Sequence, residues 1–268
     1  MPENEPRYCS WFENTDTVFQ TTDGEEVKVV NFNHEIDEVI LNEWANHFRK
    51  HYCSDHDLTE DSTAMGVSRA DYLRDIKFPG DGRPGSSIRA GDFAEILVAD
   101  YIQFLMGFSV PRTRYDRKVN RNSSTQSVDI FGFKFNEEGN VAQDELITCE
   151  VKAHFTNSRS TLQNAIDDSK KDFEMRLPFA LNASRQRLRD RNELDTAEQV
   201  GRFMNKLENP YREISGAALV CSNAVWEEGF VTGSTSEHSN DNVVLLTFLG
   251  DDFMELVHRL YEIAYVTA

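Results

Sequence analysis

The stretch "ELITCEVKAHF" (145–155) constrains the fold most, because it is typical of a β-strand whose two faces differ in chemistry. Side chains of a strand alternate between the two faces of its sheet. One face of this strand would carry the apolar residues Ile147, Cys149 and Val151. The other face would carry an acid, an amine and an imidazole, from Glu150, Lys152 and His154. Such a polar face indicates either an exposed salt bridge or a metal-dependent active site.

The order of elements around this strand predicts a mixed fold. Helices are predicted from Glu35 onward, over 88–108, over much of 160–207 and from Asp251 to the C-terminus. Strands are predicted at 25–33, 109–119, 126–135, 145–155, 214–223 and 242–249. In an all-parallel doubly wound fold, strands and helices would alternate along the chain. We therefore expect an α/β (α+β) fold, with a mixed β-sheet core flanked by helices and an N-terminal helical extension.

Charge and helix-breaking residues divide the chain near residue 88. Residues 1–60 contain 14 Asp or Glu but only 4 Lys or Arg, so this segment holds more than half of the net charge of −18. The stretch "FPGDGRPGSS" (78–87) then interrupts any helix or central strand. We expect an acidic N-terminal lobe over 1–88, followed by a core with a C-terminal helix over 89–268. The overall acidity opposes binding of nucleic acid through the global electrostatic field.

The sequence is typical of a cytoplasmic protein without a membrane anchor. It starts with no apolar run of signal-peptide length, and no stretch is long enough to span a bilayer. The 4 cysteines are scattered without a CxxC pair, which is typical of a reducing compartment. The segment "HFRKHYCSDH" (47–56) contains His47, His51, Cys53 and His56. A zinc site and a helix end with incidental histidines are both open interpretations of that segment.

Four side chains near the 145–155 strand have the chemistry that phosphodiester hydrolysis needs. Asp129 lies between apolar neighbours in "SVDIF", and a hairpin with the next strand would bring it close to Glu150 and Lys152. Glu95, on the preceding helix, can complete a metal shell. Carboxylate oxygens are the protein ligands that Mg²⁺ prefers, and Mn²⁺ can substitute. A lysine beside them can orient a water or stabilise the transition state. The sequence thus predicts that Glu95, Asp129 and Glu150 bind metal and that Lys152 assists catalysis.

Basic residues lie directly before Asp129, in "PRTRYDRKVNR" (111–121). The residues in question are Arg114, Arg117, Lys118 and Arg121. They are either a solvated strand face or an edge that follows a DNA phosphate backbone beside the site. His154 shares the face of Glu150 and Lys152, and either an accessory role at the site or a packed histidine would explain it.

The order of these residues resembles that of a known nuclease superfamily. Asp129, 20 intervening residues and then Glu150-Val151-Lys152 are similar to the D…ExK signature of the PD-(D/E)XK nucleases, with Val128 where the name has proline. Glu95 matches the acid that many members supply from their first core helix. The resemblance implies a restriction-endonuclease-like core that hydrolyses DNA with Mg²⁺.

Three longer segments resemble a narrower family. "WANHFRKHYC", "SIRAGDFAEILVADYI" and "CEVKAH" look like the nuclease subunit of Hachiman-type bacterial antiphage defence, the HamA family with its AbpA relatives. That resemblance implies an effector DNase restrained by a superfamily-two helicase, HamB in Hachiman systems. A non-catalytic adaptor or DNA-binding subunit that kept the fold is the alternative. The intact set of Asp129, Glu150 and Lys152 favours the enzyme.

Overall fold

The computed structural model describes residues 5–123, 127–156 and 160–268, which form a six-stranded mixed sheet with helices on both faces. The strands are β1 (Phe12–Gln20), β2 (Glu26–Phe32), β3 (Ile130–Lys134), β4 (Glu145–His154), β5 (Arg212–Ser222) and β6 (Val243–Gly250). Their order across the sheet is β1-β2-β6-β5-β4-β3. The four central strands are parallel, and β1 and β3 pair antiparallel at the two edges. The predicted mixed α/β architecture is confirmed.

Helices of the described residues cover both faces of this sheet. They are α1 (Glu38–Lys50), α2 (Asp55–Met65), α3 (Arg69–Tyr72), α4 (Gly85–Asp100), α5 (Leu162–Ser169), α6 (Leu177–Asp190), α7 (Leu194–Arg202), α8 (Gly229–Thr232) and α9 (Phe253–Val266). Short π-helical turns follow α3 and α4 and precede α6, at Leu73–Lys77, Tyr101–Leu105 and Asp172–Arg176. In the part of the chain that the structure describes, no helix has both the length and the apolar character needed to cross a membrane.

Strand β4 has the two chemically different faces that its sequence predicts. Ile147, Cys149 and Val151 are buried in the main core, together with residues of α1, α4 and α9. Leu146 belongs to a second apolar cluster, with residues of α6 and α7. A third cluster packs α5 and α8 against β5 and β6. The alternation therefore puts α4 on one side of β4 and the α5–α7 region on the other.

The N-terminal segment contributes two strands to the same sheet. The predicted strand at 25–33 is β2, which pairs in parallel with β6. The preceding strand, β1, was not predicted, and eight of its nine residues are exposed or half-buried on this sheet edge. Trp44 of α1 is fully buried and contacts the rings of Phe32 and Phe93. The division at residue 88 stays a prediction, while sheet and core run across it.

The predicted strand at 109–119 is wrong. Only Ser109 of this segment pairs with the sheet, through an isolated bridge to Phe133. Pro111 cannot donate a ladder hydrogen bond, so the chain leaves the edge there. Several of the side chains that follow are buried, among them Thr113 and Tyr115. Lys118 pairs with Asp92 of α4, and Tyr115 stacks on Tyr52 with 5.2 Å between ring centroids. The neighbouring strand predicted at 126–135 is confirmed as the shorter β3, and residue 126 lies outside the described residues.

Gly216 of β5 allows β4 to approach closely, and substituting it should displace the strand that carries Glu150. A Cβ atom at Gly216 would lie 2.7 Å from the Thr148 carbonyl oxygen and 2.9 Å from Cys149 Cβ. We expect Gly216→Ala to lower the free energy of unfolding by about 1–3 kcal/mol, as other overpacked cores do. Urea denaturation measures this. Gly91→Ala is the control, because a Cβ there meets nothing within 4 Å in α4, and alanine should stabilise that helix by about 0.5–1 kcal/mol. Equal stability of wild type and Gly216→Ala would contradict the packing described.

Candidate active site

Asp129 and Glu150 lie side by side where β3 and β4 pair. Ile130 is in register with Cys149, so Asp129 falls opposite Glu150. The backbone N–H of Asp129 faces Glu150 Oε1 at 3.4 Å, and the backbone N–H of Val151 donates to Asp129 Oδ2 at 3.0 Å. The hairpin thus brings together the two carboxylates that the sequence singled out. Both are largely buried, with side-chain exposures of 12% for Asp129 and 4% for Glu150.

Arg114 connects Asp129 to Glu95, which reaches the sheet edge from α4. Its Nη2 lies 2.6 Å from Asp129 Oδ1, and its Nε lies 2.8 Å from Glu95 Oε2. The hydroxyl of Tyr115 also donates to Glu95 Oε2. These residues line a cavity of about 220 Å³, with Phe179 of α6 on its wall. One guanidinium therefore balances two carboxylates at the position where the sequence predicts a cation.

Arg176 makes a similar connection on the other side of β4. Its Nη1 lies 3.0 Å from Glu150 Oε1 and 3.3 Å from Asp172 Oδ1. Asp172 is fully buried, and it was missed in the sequence. The available signal was the spacing of Asp172 and Arg176, one helical turn apart in "DFEMR". The structure adds Asp172 and Arg176 to the candidate site.

Lys152 lies on the Glu150 side of β4, as the alternation predicts. Its Nζ donates to Asp168 Oδ2 of α5 at 2.7 Å. Its side chain is 24% exposed, so the ammonium group can be reached from solvent. Burial alone would lower the pKa of Lys152, but the hydrogen bond to Asp168 and the charge of Asp129 outweigh burial and raise it. Lys152 is therefore a cation here, suited to orient a phosphate or a water.

Burial makes the ionised carboxylates of the site costly. It raises the pKa of Glu150 to about 9, and the negative charges of Asp129 and Asp172 add to the shift. It raises the pKa of Glu95 to about 8 against the opposing charge of Arg114. It also raises the pKa of Asp172 to about 7. Glu95 lines the cavity described above. Clustered carboxylates with raised pKa values are typical of functional sites, because a bound cation can supply the charge that water does not.

The acidic side chains of the site fit a hard divalent cation by their chemistry. In the structure, however, Arg114 and Arg176 balance their charge. Asp129, Glu150, Asp172 and Glu95 offer only oxygen atoms, the ligands of Mg²⁺. Among the described residues, Glu95, Asp129 and Glu150 do not form a group whose oxygens all lie within 4.8 Å of one another. Glu95 comes from the opposite face of β4, and Arg114 stands between it and Asp129. Asp129 and Glu150 are the two acids that the pairing of β3 with β4 brings next to each other.

The four basic residues predicted to contact DNA have different environments. Arg114 is buried between the two acids, and Lys118 is 3% exposed and paired with Asp92 Oδ2 at 2.6 Å. Arg121 donates to the carbonyl oxygens of Arg74 and Phe78. Arg117 is 55% exposed and faces Asp190 at 2.6 Å. The prediction that Arg114 and Lys118 lie on a phosphate-binding edge is therefore corrected: both neutralise buried acids, because the segment folds inward after Pro111. A DNA contact by Arg117 or Arg121 stays a prediction.

His154 does not lie at the carboxylate site. Its Nδ1 is 2.8 Å from the Ser160 carbonyl oxygen, and its ring stacks on Phe230 with 4.7 Å between centroids. The residue is 5% exposed. The interpretation of His154 as a packed histidine therefore replaces the accessory role. His154 lies two residues beyond Lys152 on β4, where its ring packs against Phe230 of α8.

The raised pKa of Glu150 predicts how the stability of the metal-free protein depends on pH. An unfolded glutamate titrates near about 4.3, so between that pH and about 9 the folded state binds more protons at Glu150. Stability therefore falls as pH rises through this window. In the presence of a chelator, the Tm of Glu150→Gln should exceed that of wild type by a margin that widens by a few degrees from about pH 5 to about pH 8. Glu138→Gln, on the exposed β3–β4 hairpin, should follow wild type. A constant margin would mean that Glu150 ionises normally.

Comparison with known proteins gives one assignment. No curated protein matches the sequence. The family model named HamA matches residues 7–264, which is nearly the whole chain and includes β1, the carboxylate site and most of α9. The extent of the match agrees with a sheet and core that run through both halves of the chain. The chain therefore belongs to the HamA family, whose members are components of Hachiman-type defence.

Proposed function

We propose that this protein is a metal-dependent DNA phosphodiester hydrolase, the effector nuclease of a Hachiman-type defence complex. The observation that carries the proposal is the convergence of Asp129 and Glu150 at one sheet edge, with Lys152 on the same strand. Membership of the HamA family supplies the setting of antiphage defence. The D…ExK order of these residues is similar to that of PD-(D/E)XK nucleases, whose substrate class is DNA.

Each polar residue of the site has a part in this proposal. Asp129 and Glu150 would hold Mg²⁺, or Mn²⁺ in its place, and Asp172 would orient Glu150 through their shared partner Arg176. When bound, the metal would lower the pKa of a water and neutralise charge on the phosphate. Lys152 would leave Asp168 and donate to the scissile phosphate or to that water. Once Asp129 binds the ion, Arg114 would keep its ion pair with Glu95 and lose the one with Asp129.

The arrangement of the arginines suggests that the subunit by itself is latent. Arg114 and Arg176 balance the same carboxylates that a metal would use. We propose that a helicase partner similar to HamB restrains the nuclease and that infection releases it. The acidic segment 1–88 would provide a surface for that partner and repel DNA from the free subunit. Asp16→Asn, Glu26→Gln and Glu35→Gln, combined at exposed positions, should weaken helicase binding; unchanged binding would remove this part.

The paired arginines also favour a second candidate, a non-catalytic adaptor or DNA-binding subunit. In that function Arg114 and Arg176 would be permanent substitutes for a metal, and the carboxylates would only hold the sheet edge together. The two candidates differ in one result. An adaptor neither binds Mg²⁺ at Asp129 and Glu150 nor cleaves DNA in any complex.

Plasmid digestion tests the enzyme directly. We expect wild type to cleave DNA with Mg²⁺ or Mn²⁺ and not with a chelator, alone or after mixing with the helicase and an activating DNA. Lys152→Ala should reduce the rate at least about 100-fold, the contribution of a well-placed proton donor or electrostatic stabiliser. Lys134→Ala, on the exposed end of β3, is the matched control and should retain the wild-type rate. Equal cleavage by wild type and Lys152→Ala would place the activity elsewhere or in a contaminant.

A further inference from the structure

His47 of α1 and His51, the residue that caps the C-terminus of this helix, face an aspartate at the end of α4. His47 and His51 are one helical turn apart, and Asp100 closes α4 beside them. His47 Nε2 lies 3.3 Å from His51 Nε2 and 3.2 Å from Asp100 Oδ1. The three ligand atoms all lie within 4.8 Å of one another. This cluster is separate from Asp129 and Glu150, and nothing in the proposed nuclease chemistry uses it.

The distances match a tetrahedral coordination shell. Zinc–nitrogen bonds are about 2.0–2.1 Å long, so two ligands of a tetrahedral ion stand about 3.3–3.4 Å apart. His47 Nε2 lies 3.3 Å from His51 Nε2 and 3.2 Å from Asp100 Oδ1, both within about 0.2 Å of this separation. A ring nitrogen carries at most one hydrogen, so it cannot donate a good hydrogen bond to the carboxylate and to the second imidazole together. A single cation would satisfy both contacts. The two rings are perpendicular, at 90°, with 4.7 Å between centroids.

The surroundings hold the ligands in place and leave a way in. Asp100 is fully buried and His51 is 4% exposed, while the side chain of His47 is 24% exposed. Tyr8 donates to Asp100 Oδ2 at 3.1 Å, which orients the carboxylate as outer partners of metal ligands do. Arg112 lies 2.7 Å from Asp100 Oδ1 and shares that oxygen with His47. Arg112 balances the aspartate without an ion, and its positive charge will weaken cation binding without blocking the imidazoles.

We propose that His47, His51 and Asp100 bind a borderline divalent cation, with Zn²⁺ as the best match. Two imidazoles and one carboxylate select Zn²⁺ and similar transition metals over Mg²⁺. The ion would link α1 to α4, the helix that carries Glu95. His51 also lines the cavity that contains Glu95 and Asp129. The zinc would therefore fix the cavity wall beside the nuclease site, as a positioning ion distinct from the hydrolytic one.

Zinc and cobalt binding to the full-length protein tests this site. Chelator-treated wild type should bind one Zn²⁺ with an increase in Tm, and Co²⁺ should give the intense visible bands of tetrahedral coordination. His47→Ala should lose these bands and bind Zn²⁺ at least about 100-fold more weakly. His47 is the least buried ligand, and His47→Gln serves if the alanine variant is unfolded by circular dichroism. His56→Ala, on exposed α2, and Glu150→Gln should both bind Zn²⁺ as wild type does.

Two results would overturn the proposal. One is a wild type that takes up no Zn²⁺ and shows no cobalt bands at concentrations well above those of the protein. The other is unchanged binding by a folded His47 variant. Loss of Zn²⁺ in Glu150→Gln, with retention in His47→Ala, would assign the ion to the carboxylate site instead. Because Glu150→Gln is measured in parallel, failure of the zinc site leaves the nuclease proposal untouched.

Discussion

Replacing Glu150 with glutamine is expected to reduce metal-dependent DNA cleavage by about 100- to 1,000-fold, the usual cost of losing one preorganised electrostatic group. Glutamine keeps the size of the side chain and its hydrogen bond from the Asp129 backbone. It removes the charge that would hold the ion next to Asp129. The measurement is the initial rate of plasmid nicking at fixed Mg²⁺, for wild type and for Glu150→Gln.

This loss can be separated from unfolding because the same substitution should stabilise the metal-free protein. Burial opposes the ionised form of Glu150 and raises its pKa, so a neutral amide relieves that cost. Glu138→Gln, exposed in the hairpin before β4, is the matched control and should cleave at the wild-type rate. A Glu150→Gln protein that is folded and fully active would exclude this carboxylate from the chemistry.

The second large effect is expected at Arg114. Arg114→Met keeps an unbranched side chain but leaves Glu95 and Asp129 without the guanidinium that lies 2.8 and 2.6 Å from them. Removing one partner of a buried ion pair typically costs about 3–5 kcal/mol, because a charge stays buried without compensation. In the presence of a chelator, we expect Arg114→Met to lower the free energy of unfolding by this amount. Chemical denaturation followed by circular dichroism measures it.

Divalent metal should restore part of the stability of Arg114→Met. An ion that binds the folded state alone stabilises it in proportion to its occupancy, and the variant should respond to Mg²⁺ more than wild type does. Arg117→Met is the control, because Arg117 is 55% exposed beside Asp190, where an ion pair contributes about 0–1 kcal/mol. Equal stabilities of Arg114→Met and Arg117→Met would show that Arg114 is not a substantial counter-charge of the site.

The backbone of this site could be predicted because its signals are local. The alternation in β4 depends on the period of a strand, and it placed Cys149 in the core and Glu150 on the other face before any contact was known. The proximity of Asp129 and Glu150 needed one further step, a hairpin between neighbouring strands. Both steps involve residues close together in the chain. The mixed sheet followed in the same way from the order of strands and helices.

The parts of the site that could not be predicted from the sequence depend on contacts between distant segments. Asp172 belongs to the site only because the π-helical turn before α6 brings it and Arg176 next to Glu150. The segment 109–119 has the composition of a strand, but buried acids on α4 attract its cations. Lys118 reaches Asp92 across 26 residues. Propensity and period carry no information about such charge pairs, so the sequence predicted an exposed basic edge where the structure has buried counter-charges.

Anomalous diffraction from crystals soaked in Mn²⁺ tests the central claim most directly, because it locates the ion and the arginines in one experiment. We expect a Mn²⁺ peak bound by the carboxylate oxygens of Asp129 and Glu150, with the guanidinium of Arg114 turned away from Asp129. Crystals of Glu150→Gln should lack that peak. The contrary result would be wild-type crystals that show no Mn²⁺ between these two carboxylates, although the same protein preparation cleaves DNA with Mn²⁺.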